Sequence, residues 1–211
     1  MGHVVLLGDS VFDNAAYVGG GPDVIAQLRE QLPAGWRATL AAVDGSTVAG
    51  LAQQLARIPP DTTHLVISAG GNDALGYSAI LGAASRSMAE SLTQLADIRE
   101  NFRAQYAAAM TSVLQTGLPA AVCTIYDPRY TDPVQRRLGT TALTIINDVI
   151  LREAVRHGVP VLDLRAICDD DADFANPIEP SSHGGWKIAG AIASLLATHD
   201  FGRGISAIFT R

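Results

Sequence analysis

Five short apolar runs, at residues 3–7, 37–43, 64–68, 120–126 and 159–164, alternate along the chain with longer stretches of helical periodicity. Short runs bounded by Gly, Pro or Asp suit strands buried on both faces of a parallel sheet, where no face meets water and alternation disappears. Helices are expected over residues 23–32, 47–58, 86–116 and 134–157, and a last one over about 184–198, where Ile188, Ile192, Leu195 and Leu196 recur at helical spacing. Gly35, Gly117 and Gly158 stand where helices should stop, and Pro119 and Pro160 follow two of them. Strands separated by helices predict a doubly wound α/β fold. In such folds ligands sit beyond the carboxyl ends of the strands, where the strand order reverses. The residues just after each run therefore carry the functional question.

The chain has 211 residues, the size of one domain, 1–211, with no repeat, low-complexity tract or linker. Hydrophobic residues make up 48% and charged residues 17%, enough apolar material for a core and too little charge for disorder. The net charge is −6 and the one lysine is Lys187, so no basic surface tracks phosphates and nucleic acid is not an expected partner. No apolar run reaches the roughly 18 residues of a membrane span. Cys123 and Cys168 form no C-x-x-C pair and no disulfide framework, which fits a reducing compartment. The first apolar run follows Met1-Gly2 almost at once, and a cytoplasmic location is expected. There is no G-x-x-x-x-G-K-[ST], and no G-x-G-x-x-G after the first run, so a nucleotide domain has no motif to stand on.

Gly8-Asp9-Ser10 places a serine immediately after the first run. A hydroxyl at the sheet rim can act as a nucleophile only with a base in hydrogen-bond reach; otherwise Ser10 is a turn or cap residue. Acyl transfer also builds negative charge on a carbonyl oxygen, which needs donors aimed at it beforehand. Gly45, after the second run, offers a backbone N–H that no Cβ obstructs, and Asn72, after the third, offers a side-chain amide. Each has a plain alternative as a turn residue. Their common position just beyond strand ends sets them apart.

Gly8-Asp9-Ser10, Gly45 and Gly70-Gly71-Asn72-Asp73, in this order and spacing, resemble the first three blocks of the SGNH, or GDSL-type, hydrolases. The resemblance implies a flavodoxin-like sheet of five strands in order 2-1-3-4-5, with strands one and three, at the reversal, bearing Ser10 and Asn72. It implies hydrolysis of small acyl esters through an acyl-enzyme on Ser10. The Ser10 N–H, Gly45 N–H and Asn72 would form the oxyanion hole, and no metal or organic cofactor is implied.

The last block departs from the family's Asp-x-x-His-Pro. Here the chain reads Asn176-Pro177-Ile178-Glu179-Pro180-Ser181-Ser182-His183-Gly184. Matching Pro180 to the family proline puts Glu179 in the histidine's place and Asn176 in the aspartate's. Glu179 would then take the Ser10 proton directly. An ordinary glutamate, with pKa about 4.3 against about 6.5 for imidazole, is a weaker base, but burial raises it. Alternatively Glu179 and His183, four residues apart, would pair across one helical turn and give a Ser10–His183–Glu179 triad. With neither residue in place, the chain would be a catalytically impaired ligand-binding module.

Asp9, Asp13, Arg129 and Asn176 are candidate pocket residues. Asp9 reads better as a loop-ordering residue, Asp13 and Asn14 as turn residues, and Arg129 as a substrate anchor or a surface ion pair. Asp169-Asp170-Asp171 reads as a solvated run rather than a cation clamp. Leu143, Ile146, Ile150 and Val155 read as a core stripe, and residues 74–86, rich in small side chains, as a wall or lid of the site.

Overall fold

A computed structural model describes residues 2–210. Its centre is β1 (His3–Gly8), buried along its whole length. On one side β1 pairs in parallel with β2 (Arg37–Leu40), and on the other with β3 (His64–Ser68). Then come β4 (Ala120–Cys123), β5 (Val161–Leu162) and β6 (Ile208–Phe209), all parallel, in the order 2-1-3-4-5-6. The expected five strands and their order are present. The sixth, in the tail, is an addition that a two-residue strand without alternation does not signal. Its hold is backbone pairing: Val161 N–H donates to Ala207 O, and Asp163 N–H to Phe209 O.

Successive β1 side chains enter opposite cores. Val4 and Leu6 pack with α1 (Val24–Gln31) and α7 (Ser182–Thr198). Val5 and Leu7 face the other core with α2 (Leu51–Leu55), α4 (Met88–Gln115) and α5 (Pro133–His157). Helix ends follow elementary capping: the Asp23, Ser87 and Ser181 side chains accept from Ala26, Glu90 and Gly184 N–H. Pro133 opens α5 and Gly158 closes it with left-handed backbone.

Several local expectations change, and the runs at 37–43 and 159–164 shorten to β2 and β5. Residues 71–86 contain α3 (Gly71–Gly76) and a tight turn at Ser78–Gly82, where only a turn was expected after Asn72. The strand at 120–126 stops at Cys123; Thr124 N–H still donates to Leu162 O, and beyond it the Asn147 side chain pins Ile125. Val155 does not continue the α5 stripe. Five residues beyond Ile150 is a rotation of about 140° from that face, and Val155 is 68% exposed while Ile146 and Ile150 are buried. A short α6 (Leu164–Ile167) follows β5. Among the described residues no helix is long and apolar enough to cross a membrane.

Candidate active site

The end of β1 is built for a tight exit. Gly8 has φ +130°, and a Cβ there would collide with the Ser68 carbonyl, so only glycine fits. The Gln54 side chain clamps the same residue, accepting from Gly8 N–H at 2.7 Å and donating to Gly8 O at 2.8 Å. Asp9 N–H then donates to Ser68 O, and the chain turns with Phe12 and Asp13 N–H groups on Asp9 O. This turn carries Ser10 to the mouth of the crevice between β1 and β3.

The loop after β2 is tied to that mouth from two directions. Asn72 Nδ2 donates to Ser46 O at 2.9 Å, and Asp73 Oδ2 accepts from Val48 N–H at 3.0 Å. Gln54 Nε2 adds a bond to Ser46 Oγ. One loop thus locks Gly45 and Asn72 into a fixed relation. Gly45 has φ +75° with open space where a Cβ would stand, so its backbone conformation, not crowding, calls for glycine. The Ser10 and Gly45 N–H groups have no acceptor among the described residues. Ser10, Asn72 and Glu179 line one cavity, whereas Gly45 lies on the shallow neighbouring depression with Val43 and Ser46.

Glu179 arrives on a loop held almost atom by atom. Asn176 Oδ1 accepts from both Ile178 and Glu179 N–H at 3.0 Å. Ala175 N–H donates to Glu179 O, Tyr126 Oη to Ile178 O, and Asn14 Nδ2 to Pro180 O. Arg129 belongs to this scaffold rather than to the cavity. Its N–H donates to Pro177 O, its Nη2 to Cys168 O, and its guanidinium lies over the Phe174 ring. Asn176 and Arg129 therefore set the position of Glu179 without touching the cavity. Asp13 is likewise a brace, its Oδ2 accepting from Asp44 N–H at 2.9 Å.

The result is a direct contact: Ser10 Oγ donates to Glu179 Oε1 at 3.1 Å. Glu179 is 7% exposed, and its Oε2 is buried with no partner. Burial pushes its proton affinity above the ordinary glutamate value. The Ser10 hydrogen bond works against this, and the Asp44 charge adds to it. Asp9, also on the cavity, is pushed up to about 7, first by burial and then by the Glu179 and Asp73 charges, against the Val11 N–H that its Oδ1 accepts.

The triad arrangement is not formed. Ser181 caps α7 and the helix proper starts at Ser182, so Glu179 lies in the loop before it and shares no helical face with His183. The His183 ring, 62% exposed, turns toward Asp173 instead, with Nε2 3.6 Å from Oδ1. His183→Ala should accordingly change kcat/KM for p-nitrophenyl acetate by less than about threefold. A loss of about 100-fold, the scale of a lost general base, would put the ring back into the chemistry.

Asp169-Asp170-Asp171 is exposed but paired: Asp169 with Lys187, Asp171 with Arg136, and Asp170 as the cap of a short turn. Among the described residues no group of three or more His, Cys, Asp or Glu could hold a metal ion. Several site-building residues escaped sequence reasoning: Gln54, the Asp73 tie, and Asn147, which clamps both backbone groups of Ile125 at 2.8 Å. Their one signal is an amide or acid on an otherwise apolar face, as Asn147 sits between Ile146 and Val149.

The parallel sheet of order 2-1-3-4-5-6, gathering a serine, an asparagine and a buried glutamate at one crevice, has the fold of known ester hydrolases. Residues 6–184 match the GDSL-like lipase/acylhydrolase family, and the chain belongs to it. Solved structures with the same fold include an extracellular lipase from Streptomyces rimosus (17% identity, TM-score 0.66, 95% of this chain and 100% of that one). Others are the acetyl xylan esterase AlAXEase (16%, TM-score 0.67, 93% and 100%) and the M. smegmatis aryl esterase with an inhibitor bound (16%, TM-score 0.63, 94% and 99%). No curated protein sequence matches the chain.

Proposed function

We propose that this chain hydrolyses carboxylic esters through an acyl-enzyme on Ser10, with Glu179 as the direct base. The observation that carries this reading is the Ser10 Oγ–H donated to Glu179 Oε1 while Oε2 stays buried and unpartnered. A carboxylate deprived of water and of a second donor favours its protonated form. It therefore gains as a base what an exposed glutamate lacks.

In the first step Glu179 takes the Ser10 proton as Oγ bonds to the ester carbon, and the carbonyl electron pair moves onto oxygen. The oxyanion draws on the Ser10 and Gly45 N–H groups and on the second Asn72 amide hydrogen, the first being held by Ser46 O. Collapse breaks the bond to the alcohol oxygen, which receives the proton from Glu179. Water then repeats the sequence on the acyl-enzyme, again deprotonated by Glu179. Asn176 and Asn14 act by fixing the loop that carries the base.

The test is covalent labelling. A fluorophosphonate should modify Ser10 and no other residue, identified by peptide mass spectrometry, and should abolish hydrolysis of p-nitrophenyl acetate in proportion to labelling. A folded protein that takes no adduct at Ser10 and cleaves no activated ester would end this reading.

A further inference from the structure

The cavity at Ser10 has a volume of about 470 Å³ and continues well past the reacting groups. It runs between the Ser78–Gly82 turn on one side and α5 on the other. Its floor comes from the apolar core beneath α4 and α5, where Ile98, Ile125 and Ile146 reach it. Among the described residues no Lys or Arg lines it, and its only charged groups, Asp9 and Glu179, stand together at the Ser10 end. Resting on the proposed ester hydrolysis, we infer that this slot holds an unbranched, uncharged acyl chain of about eight to ten carbons, longer than the small acyl groups the sequence suggested.

Volume sets the length. At roughly 30 Å³ for a water-sized group, the space takes on the order of fifteen heavy atoms, an ester group and a medium chain together. Polarity sets which half of the ester enters. Glu179 must return its proton to the departing alcohol oxygen, so the alcohol leaves past Glu179. Beyond Glu179 lies a polar, water-exposed rim, where Tyr17 Oη donates to Asp44 Oδ2 at 2.8 Å and the Asp44 charge reaches Glu179. That flank suits an alcohol that must exchange with water between the two steps. The apolar slot on the other flank suits a chain that stays through both. Charge sets the chain's far end: with no cation in the slot, a terminal carboxylate there would lose its water for nothing.

The experiment uses the full chain and p-nitrophenyl esters from acetate to dodecanoate, beside a series of alkyl acetates and the suberic acid mono-p-nitrophenyl ester. kcat/KM should rise about fourfold per methylene of the acyl chain, peak at eight to ten carbons, and be nearly flat with alcohol length. The suberate monoester should fall at least about 30-fold below octanoate, the penalty of an unpaired buried charge. Ala142→Trp, which fills the slot from α5, should lower the ratio of octanoate to acetate turnover at least about tenfold through lost burial. A profile that peaks at acetate, or one that climbs with alcohol length, would overturn the assignment while leaving ester hydrolysis intact. If no ester is cleaved and Ser10 takes no adduct, the hydrolysis reading itself falls. Calorimetric titration then decides on the slot alone: 1-octanol binding at least about tenfold tighter than 1-butanol sustains it, and equal binding removes it.

Discussion

Glu179→Gln should lower kcat/KM for p-nitrophenyl acetate by about 10³-fold or more, the scale on which a positioned general base acts. The substitution is close to isosteric. Its Oε1 still accepts the Ser10 Oγ–H, so the 3.1 Å contact and the loop geometry set by Asn176 persist. The one capacity removed is that of taking a proton. The new amide nitrogen occupies the place of an oxygen that has no partner, at a cost of about 1–3 kcal/mol, so circular dichroism and a thermal melt must accompany the kinetics. A well-folded Gln variant within tenfold of the parent would remove Glu179 from the base position.

The pH profile separates this role from a structural one. Below the Glu179 pKa the carboxyl already carries a proton and cannot take that of Ser10, so kcat/KM should fall tenfold per pH unit on the acid side. Burial places that limb above the pH at which an ordinary glutamate titrates. The residual activity of Glu179→Gln should show no such limb. A limb that survives the substitution unchanged would belong to another group. Measurement from pH 3.5 to 8, with the fold checked at each end, gives the answer.

The parallel sheet was legible because a strand buried on both faces must be apolar along its buried length, and residues 4–7 and 65–67 are. Ser10 and Asn72 were legible because doubly wound topology sends the residues after β1 and β3 to one crevice. The choice of base was not. Glu179 and His183 both precede the start near residue 184 that the sequence predicts for the last helix. What separates them is the cap at Ser181, which starts α7 at Ser182, takes His183 into the helix and leaves Glu179 in the loop before it, a boundary that only hydrogen bonding decides. Arg129, which follows β4, read as a substrate anchor or a surface ion pair, but its direction depends on the Phe174 ring and the Cys168 carbonyl, both brought in from 39 to 45 residues away. The slot was hidden for a further reason. Leu143 and Ile146 read as core, and a side chain that lines a cavity has the same composition as one that fills it.

Asp9→Asn should stabilise the protein at pH 8 and leave it nearly unchanged at pH 4. Asp9 is buried beside a second carboxylate, and its pKa rises from the ordinary 3.8 to about 7 in the folded chain. The unfolded chain gives up this proton near pH 4, whereas the folded chain holds it until about pH 7. Stability contributed by the neutral carboxyl is therefore complete below pH 4 and drains away as pH climbs to about 7. At about 1.4 kcal/mol per tenfold change in proton affinity, the loss is on the order of 4 kcal/mol. Asn cannot ionise, and its Oδ1 can still accept the Val11 N–H that orders the turn. Relative to the parent, the variant should gain a few kcal/mol in urea unfolding at pH 8, and the gain should vanish at pH 4. Equal stability of the two proteins at both pH values would mean that Asp9 meets more water or more donors than this enclosed turn provides.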